Sequence, residues 1–509
     1  MDRFERFVDK VGARFLNSPA YLLFVALALL WLIGAPRAVD PDLFARLAIG
    51  KLVFFSGTVP QTDPFAFTTK FPRWYDHEWL SGVVFFEVWH WLGEWGLMFF
   101  KAVLATLTLL LLKRAAESHG RNLAGWHFWL LFTGLQLSYL WVTTVRSQIF
   151  TYLFLAWVFC CIEQHRTQKK TVWLWSLPIT FVVWANAHGG FIVGLGFLCM
   201  YTAVAIVRSS APKGVLIFVT VLSLMAPFCN PYGPEYLQFI LKATTMSRPS
   251  ITEWAAVSLS DPAGIFYLVV VTFVIVALYR ARRIPTLDIL GMLTLSIYFG
   301  ARHQRLTAIF FMVAFVYFLP ELQYWVVRFV HLFGTRAEKL RRTVVFSAMM
   351  VSIPLAFFAL NFLLAAERYR LNYDELPVAA LAWLAKSQQR GNLLVDFNRG
   401  SYALWKLYPN VLISVDGRYE EVYPDATVQR VAQALTPTSP NFKAALAEIA
   451  PTHILLHKQE VGKGLEEYLE RYEVQYEDSK YLILADRSAG LLVTRASSSL
   501  PNSEASEAS

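Results

Sequence analysis

Apolar runs of about 16–20 residues recur along the chain, the length an α-helix needs to cross a hydrocarbon core of roughly 30 Å. They predict eleven spans: 20–35, 95–112, 126–142, 148–163, 172–186, 190–207, 214–229, 263–280, 286–300, 306–320 and 343–362. A further apolar stretch at 79–92 follows His77-Glu78 and carries Glu87 and His90. Those groups would be costly facing lipid, so the stretch reads as an amphipathic or half-inserted helix. After about Ala365 the pattern changes. Apolar runs shorten to strand length (Asn392–Asp396, Val411–Val415, His453–Leu456, Tyr481–Ala485) and alternate with helical patterns (Pro377–Lys386, Thr427–Leu435, Asn441–Ile449, Gly464–Arg471). Such alternation predicts a parallel, layered α/β sheet.

These patterns describe a polytopic α-helical membrane protein of about 11 spans with a C-terminal extracytoplasmic α/β domain. Residues 1–364 form the membrane domain, with a first loop at 36–94 and a second outer loop at 230–262. Residues 365–493 form the α/β domain, and the Ser-, Ala- and Glu-rich tail at 494–509 is disordered in character. Composition agrees: 56% of residues are hydrophobic and 16% charged, more apolar surface than a soluble globule can cover. Orientation follows from basic residues in alternate loops: Lys113, Arg114 and Arg121; Arg166, Lys169 and Lys170; Arg208 and Lys213; Arg280, Arg282 and Arg283; and Arg328 to Arg342. The positive-inside rule then places the N-terminus in the cytoplasm and the C-terminal domain outside a cytoplasmic (inner) membrane. The net charge of +9 is mostly this topology signal plus attraction to lipid headgroups, and gives no reason to invoke nucleic acid. An acid-rich start, a long apolar core and Asp40 beyond it make the first span an uncleaved anchor. Cys160, Cys161, Cys199 and Cys229 all lie in or beside spans, so the outer domain has no disulfide framework.

Candidate chemistry gathers on the outer side. The first loop holds Asp40, Asp42, Asp63, Asp76, His77 and Glu78, interleaved with Trp74, Tyr75 and Trp79. Asp40 and Asp42 stand just past a span, at headgroup level. A carboxylate there can take a proton from a substrate hydroxyl, or hold Mg²⁺ or Mn²⁺ against a lipid phosphate. Equally, either one can cap the helix starting near Leu43. Asp63 before Pro64 suits a turn, and Asp76 suits an N-cap with Trp79 as an interfacial anchor. Arg146, in the turn before span 148–163, and Arg302, His303 and Arg305 in the ARHQR turn are cations on the side the positive-inside rule disfavours. Guanidiniums pair bidentately with phosphate, although headgroup snorkelling is open to any basic residue at a span end. His188 in WANAHGG is followed by two glycines that permit close approach of backbone or ligand. In the outer domain, DFNRGSY at 396–402 and VDGRYEEVYP at 415–424 put polar residues after strands, where open α/β sheets bind ligands. Neither is a specific signal.

The segments DPDLFARLAIG, TDPFAFT, DHEWL, WANAHGG, NPYG and ARHQR resemble a poorly characterised bacterial multispan branch of the GT-C class of membrane glycosyltransferases. The resemblance covers about 1–425 in layout. It implies a first outer loop with an acidic residue close after the first span, jaw-like helices in that loop, many further spans and an outer C-terminal domain. It also implies transfer, with inversion, of a sugar carried on polyprenyl phosphate to an extracytoplasmic glycan, lipid or protein, with Asp40 or Asp42 as general base. Where better-known members carry a Pro-Pro pair near the jaw helix, this chain has His77-Glu78.

Two readings of different class follow. In the first, a transferase uses Asp40 or Asp42 on the acceptor, while Arg302, His303 and Arg305, assisted by Arg146, stabilise the leaving phosphate. His77, Glu78 and His188 line the substrate site. In the second, the chain is a non-catalytic scaffold subunit of an envelope polysaccharide assembly or export machine. A secondary transporter fits less well, because transporters place charged sites near the midplane and these residues sit at span ends.

Overall fold

A computed structural model describes residues 40–118, 145–208, 213–246, 254–281, 285–332 and 373–489. The spans expected at 20–35, 126–142 and 343–362 lie outside them. The chain divides into two compact units: Arg37–Leu97 with the segment from Leu371 onward, and Met98–Arg370 with the N-terminal segment.

In the second of these units helices occupy the expected apolar runs: Gln148–Gln168, Leu177–Ala187 after a 3-10 turn, Phe191–Arg208, Gly214–Met225, Pro262–Ala281, Leu287–Arg302 and Thr307–Leu332. Trp79–Glu117, Phe191–Arg208 and Ala263–Arg280 are long and apolar enough to cross a membrane, while Val172–Ala187, Gly214–Phe228 and Gln304–Leu319 are shorter apolar helices. Packing is close where side chains are small: a Cβ on Gly194 would stand 2.4 Å from the Trp184 ring. Polar clasps supplement the apolar contacts. Arg166 pairs with Glu163 at 3.0 Å, pairs with Asp288 on the Leu287–Arg302 helix, and lies 4.7 Å over the Tyr201 ring. A guanidinium answering two carboxylates with 0% side-chain exposure is what makes burying them tolerable.

The stretch expected as a separate amphipathic helix at 79–92 runs on into the span at 95–112 as one element, Trp79–Glu117. It bends at Gly93, whose φ of 62° and ψ of −161° suit glycine alone.

The other unit is built from both ends of the chain. The helix Pro41–Ser56 starts with proline in its first turn, is capped by Asp40 and stops at Gly57, which adopts a left-handed φ of 67°. The C-terminal segment forms a five-stranded sheet of order β2-β1-β3-β5-β4. Its strands are β1 (Gly391–Leu394), β2 (Val411–Ile413), β3 (His453–His457), β4 (Tyr472–Glu477) and β5 (Tyr481–Asp486). β1 pairs in parallel with β2 and β3, whereas β5 runs antiparallel to both β3 and β4. The sheet is therefore mixed, not wholly parallel. The physical reason is the short link from Glu477 to Tyr481, which only an antiparallel pair can use.

The first loop is part of this sheet. Ala66 bridges Ile413 in parallel, with Phe67 N–H donating to the Ile413 carbonyl at 3.1 Å and Ile413 N–H to the Phe65 carbonyl at 3.0 Å. It thereby covers the β2 edge, which would otherwise expose unpaired backbone groups. Above it, Pro41–Ser56 packs on the helix Phe397–Leu407 that follows β1. The Phe44 and Tyr402 rings meet edge-on at 4.7 Å, and the Lys51 ammonium lies 5.5 Å over Trp405.

Candidate functional site

Two charged clusters lie side by side where the first loop meets the strand ends of the C-terminal domain. In the first, Arg418 is fully buried between the Phe65 and Trp74 rings, 5.0 Å from each. Its Nε and a terminal nitrogen grip Asp416 at 2.9 and 2.6 Å, and its other terminal nitrogen reaches Asp63 at 2.5 Å. The remaining capacity is filled: Asp63 also accepts from the Phe65 and Ala66 N–H groups, and Asp416 from the Arg418 N–H and the Tyr423 hydroxyl. Burial works against the guanidinium charge, but Asp416 and Asp63 more than offset it and hold its pKa well above the usual value.

The second cluster is less complete. Arg46, buried on the Pro41–Ser56 helix, pairs with Asp76 at 2.5 Å, Glu78 at 3.4 Å and Glu421 at 3.6 Å. His77 stands 3.2 Å from Glu421 through Nδ1 and 3.6 Å from Glu78 through Nε2. One guanidinium and one imidazole thus face three carboxylates. Burial pushes the Glu421 carboxyl up to about 7, against the opposing pull of His77 and Arg46.

Asp40 and Asp42 border these clusters and differ from one another. Asp40 is buried and its Oδ1 accepts the Asp42 N–H at 3.0 Å as the N-cap. Asp42 is half-buried with its carboxylate against Gly417, so close that a Cβ there would sit 2.3 Å from Oδ1. Gly417 is in turn held by its N–H to the Ser401 hydroxyl at 3.2 Å. Among the described residues no three histidine, cysteine or acidic side chains are grouped as metal ligands. With one Asp40 oxygen engaged in capping, the Asp40–Asp42 pair makes a poor chelate.

The basic and histidine candidates lie in the other unit, around the first turns of the Gln148–Gln168 helix. Arg146 immediately precedes that helix, its carbonyl accepting the Ile149 N–H at 3.1 Å. Arg305 donates to Gln148 Oε1 at 3.2 Å and lies 5.0 Å over the Trp254 ring. His303 Nδ1 is 2.8 Å from the Trp254 carbonyl, which ties the ARHQR turn to the segment before the Pro262–Ala281 helix. Arg302 ends its own helix and is exposed. His188 reaches the same helix one turn on: its Nδ1 is 2.7 Å from the Thr151 hydroxyl and accepts the Gly190 N–H at 2.9 Å. Because Nδ1 accepts the Gly190 N–H, it carries no hydrogen of its own, so the Thr151 hydroxyl, which accepts from Trp184 Nε1 at 3.0 Å, donates to it and the imidazole hydrogen falls on Nε2. Gly190 fits only without a side chain, since a Cβ would lie 2.3 Å from the Thr151 hydroxyl.

Sequence reasoning singled out His77 and Glu78 but not Arg46, Glu421, Arg418 or Asp416, which complete their surroundings. The one local hint was the density of polar residues in VDGRYEEVYP.

No known family's profile matches the chain, and no curated protein matches its sequence. Solved structures do. The fold is similar to that of the oligosaccharyltransferase AglB from Archaeoglobus fulgidus in complex with an inhibitory peptide and a dolichol-phosphate, with TM-score 0.56 and 11% identity over 93% of this chain and 75% of that one. It is similar also to ArnT from Cupriavidus metallidurans in the apo state, with TM-score 0.51 and 13% identity over 92% of this chain and 97% of that one. At these identities the likeness is one of fold.

Proposed function

We propose that the chain is a membrane glycosyltransferase that moves a sugar from a polyprenyl-phosphate-linked donor to an extracytoplasmic glycan, lipid or protein. The supporting observation is the gathering of Arg146, Arg305 and His188 around the start of one helix, whose N-terminal dipole adds its own partial positive charge. A likeness in fold to a protein bound to dolichol-phosphate is in keeping with that ligand chemistry.

In this reading Arg146, Arg302 and Arg305 hold the phosphate as it departs and His188 adds a neutral N–H donor. His303 fixes the turn through Trp254. Asp42 meets the acceptor hydroxyl and orients it toward the anomeric carbon, with Asp40 fixing the start of the helix that carries it. His77 and Glu78 line the sugar site. The reaction is a single displacement: the acceptor oxygen bonds to the anomeric carbon on one face while the bond to phosphate breaks on the other, which inverts the centre. Carboxylates nearby stabilise the positive charge that develops on the ring. No step is assigned to Mg²⁺ or Mn²⁺. The protein acts in a cytoplasmic membrane, N-terminus inside and C-terminal domain outside.

The test is complementation of a deletion strain. Asp42→Asn and Arg305→Gln, each at wild-type protein level, should fail to restore the envelope glycan profile. Full restoration by both would refute the reading.

A further inference from the structure

Arg418 and Glu421 lie three residues apart, yet their surroundings are built differently. Around Arg418 both oxygens of Asp416 and both of Asp63 accept hydrogen bonds. Such a cluster is a closed structural joint. Around Glu421 the arrangement stays open: Oε1 is 3.2 Å from His77 Nδ1, while Oε2 makes no hydrogen bond among the described residues and sees Arg46 only at 3.6 Å. The groups that face it are Arg46 from the Pro41–Ser56 helix, which also feels Asp42, and Asp76, His77 and Glu78 from the segment before Trp79. Side-chain exposures of 12% for Glu421 and 20% for His77 leave both within reach of a ligand or a single water. A buried acid that folding leaves undersatisfied calls for an explanation, and purely structural carboxylates a few residues away show that this region can satisfy them.

We infer that Glu421 and His77 together form the proton-accepting pair of the transfer reaction, so that the C-terminal domain supplies the group on which the acceptor's proton comes to rest. This deepens the transferase reading and rests on it. Asp42 orients the hydroxyl. As the acceptor oxygen bonds to the anomeric carbon, the carbon–oxygen bond to phosphate breaks and its electron pair leaves on the phosphate. The hydroxyl proton passes to the Glu421 carboxylate, directly or through one water, and His77 at Oε1 steadies the carboxyl in both protonation states. No further reactant is required. An acid titrating near neutrality is matched to taking up a proton and releasing it to solvent afterwards, whereas an ordinary aspartate is a weaker base.

The experiment compares the full-length wild type with Glu421→Gln and Glu421→Asp in proteoliposomes. These are supplied with a set of tritium-labelled polyprenyl-phosphate hexoses and pentoses and an extract of envelope glycan and lipid as acceptor. Transfer is read from pH 5 to 8.5, and thermal unfolding is followed in parallel. The wild type should lose activity below a limb near pH 7. Glu421→Gln should fall about 100-fold or more and lose the limb, while melting no lower than wild type at pH 8. Glu421→Asp should keep the limb at reduced rate. Transfer by Glu421→Gln at wild-type rate with the limb intact overturns the inference and leaves the transferase reading standing. Absence of transfer by the wild type from every donor overturns that reading and the inference with it.

Discussion

Asp40 and Asp42 show how two identical side chains two residues apart acquire separate roles. Capping accounts for Asp40, so Asp40→Asn should leave stability nearly unchanged, whereas Asp40→Ala should cost about 1 kcal/mol. Denaturant unfolding of the two variants measures this, and an equal loss in both would argue for a role beyond the cap. The Arg418 joint is a stronger commitment. Arg418→Met leaves the buried Asp416 without its counter-charge and Asp63 with Lys70 alone at 4.0 Å, and should destabilise the unit by about 3–5 kcal/mol, read as a drop in melting temperature. His453 gives the unit an acid limit. It is fully buried in β3, between Gln389 at 2.7 Å and Thr452 at 2.9 Å, and burial lowers its pKa to about 4. A folded pKa below the unfolded value of about 6.5 means the stability is complete above pH 6.5 and declines as pH falls toward 4. His453→Gln should flatten that slope in unfolding curves taken between pH 7 and 4.

At the scale of elements, periodicity was a good guide wherever one face or a whole helix is apolar. Each expected span within the described residues coincides with a helix, and four strands of the sheet fall where short β-rich runs predicted them. Among the elements that escaped notice, such as the Glu235–Thr245 helix within the expected outer loop, two did so for clear physical reasons. β4, YEVQYE, holds Glu473, Gln475 and Glu477 among its six residues and buries Gln475 while exposing Val474, so it carries too little apolar signal to stand out from a surface loop. The Phe397–Leu407 helix contains Gly400, a residue that argues against a helix on propensity alone. Its presence is explained by contact: a Cβ at Gly400 would lie 1.9 Å from the Val415 carbonyl, so the helix can lie on the strand end only with glycine there. The same logic governs the crossing of Pro41–Ser56 with the start of Trp79–Glu117. A Cβ on Gly50 would come within 2.0 Å of the Gly82 carbonyl. Gly50→Ala should force these helices apart and cost roughly 1–3 kcal/mol, seen as faster proteolysis of the first loop. Wild-type resistance would show that the contact relaxes freely.

At the scale of the molecule, the candidate acidic site was half legible. The loop residues were visible as a cluster of ionisable groups within forty positions of one another. Their partners Arg418 and Glu421 were not, because side-chain pairing across distant segments leaves no mark on local periodicity. The C-terminal sheet consequently depends on the first loop for its edge, for a helix layer and for the counter-charges of Arg418. Residues 371–493 expressed alone should therefore yield no sharp thermal transition, while the same segment joined to 37–97 through a flexible linker should give one. Identical cooperative melting of the two would show that the loop only decorates a self-sufficient domain.

That dependence also sets a clock on biosynthesis. Asp63 and Arg418 are 355 residues apart. At a ribosomal pace of about 5–20 residues per second, roughly 20–70 s separate the appearance of the acid from that of its base. For all that interval the nascent loop presents an edge-pairing segment and a set of carboxylates with nothing to receive them. Its sequence therefore has to serve two states, remaining hydrated and unattached while it waits and closing completely once the far end of the chain arrives.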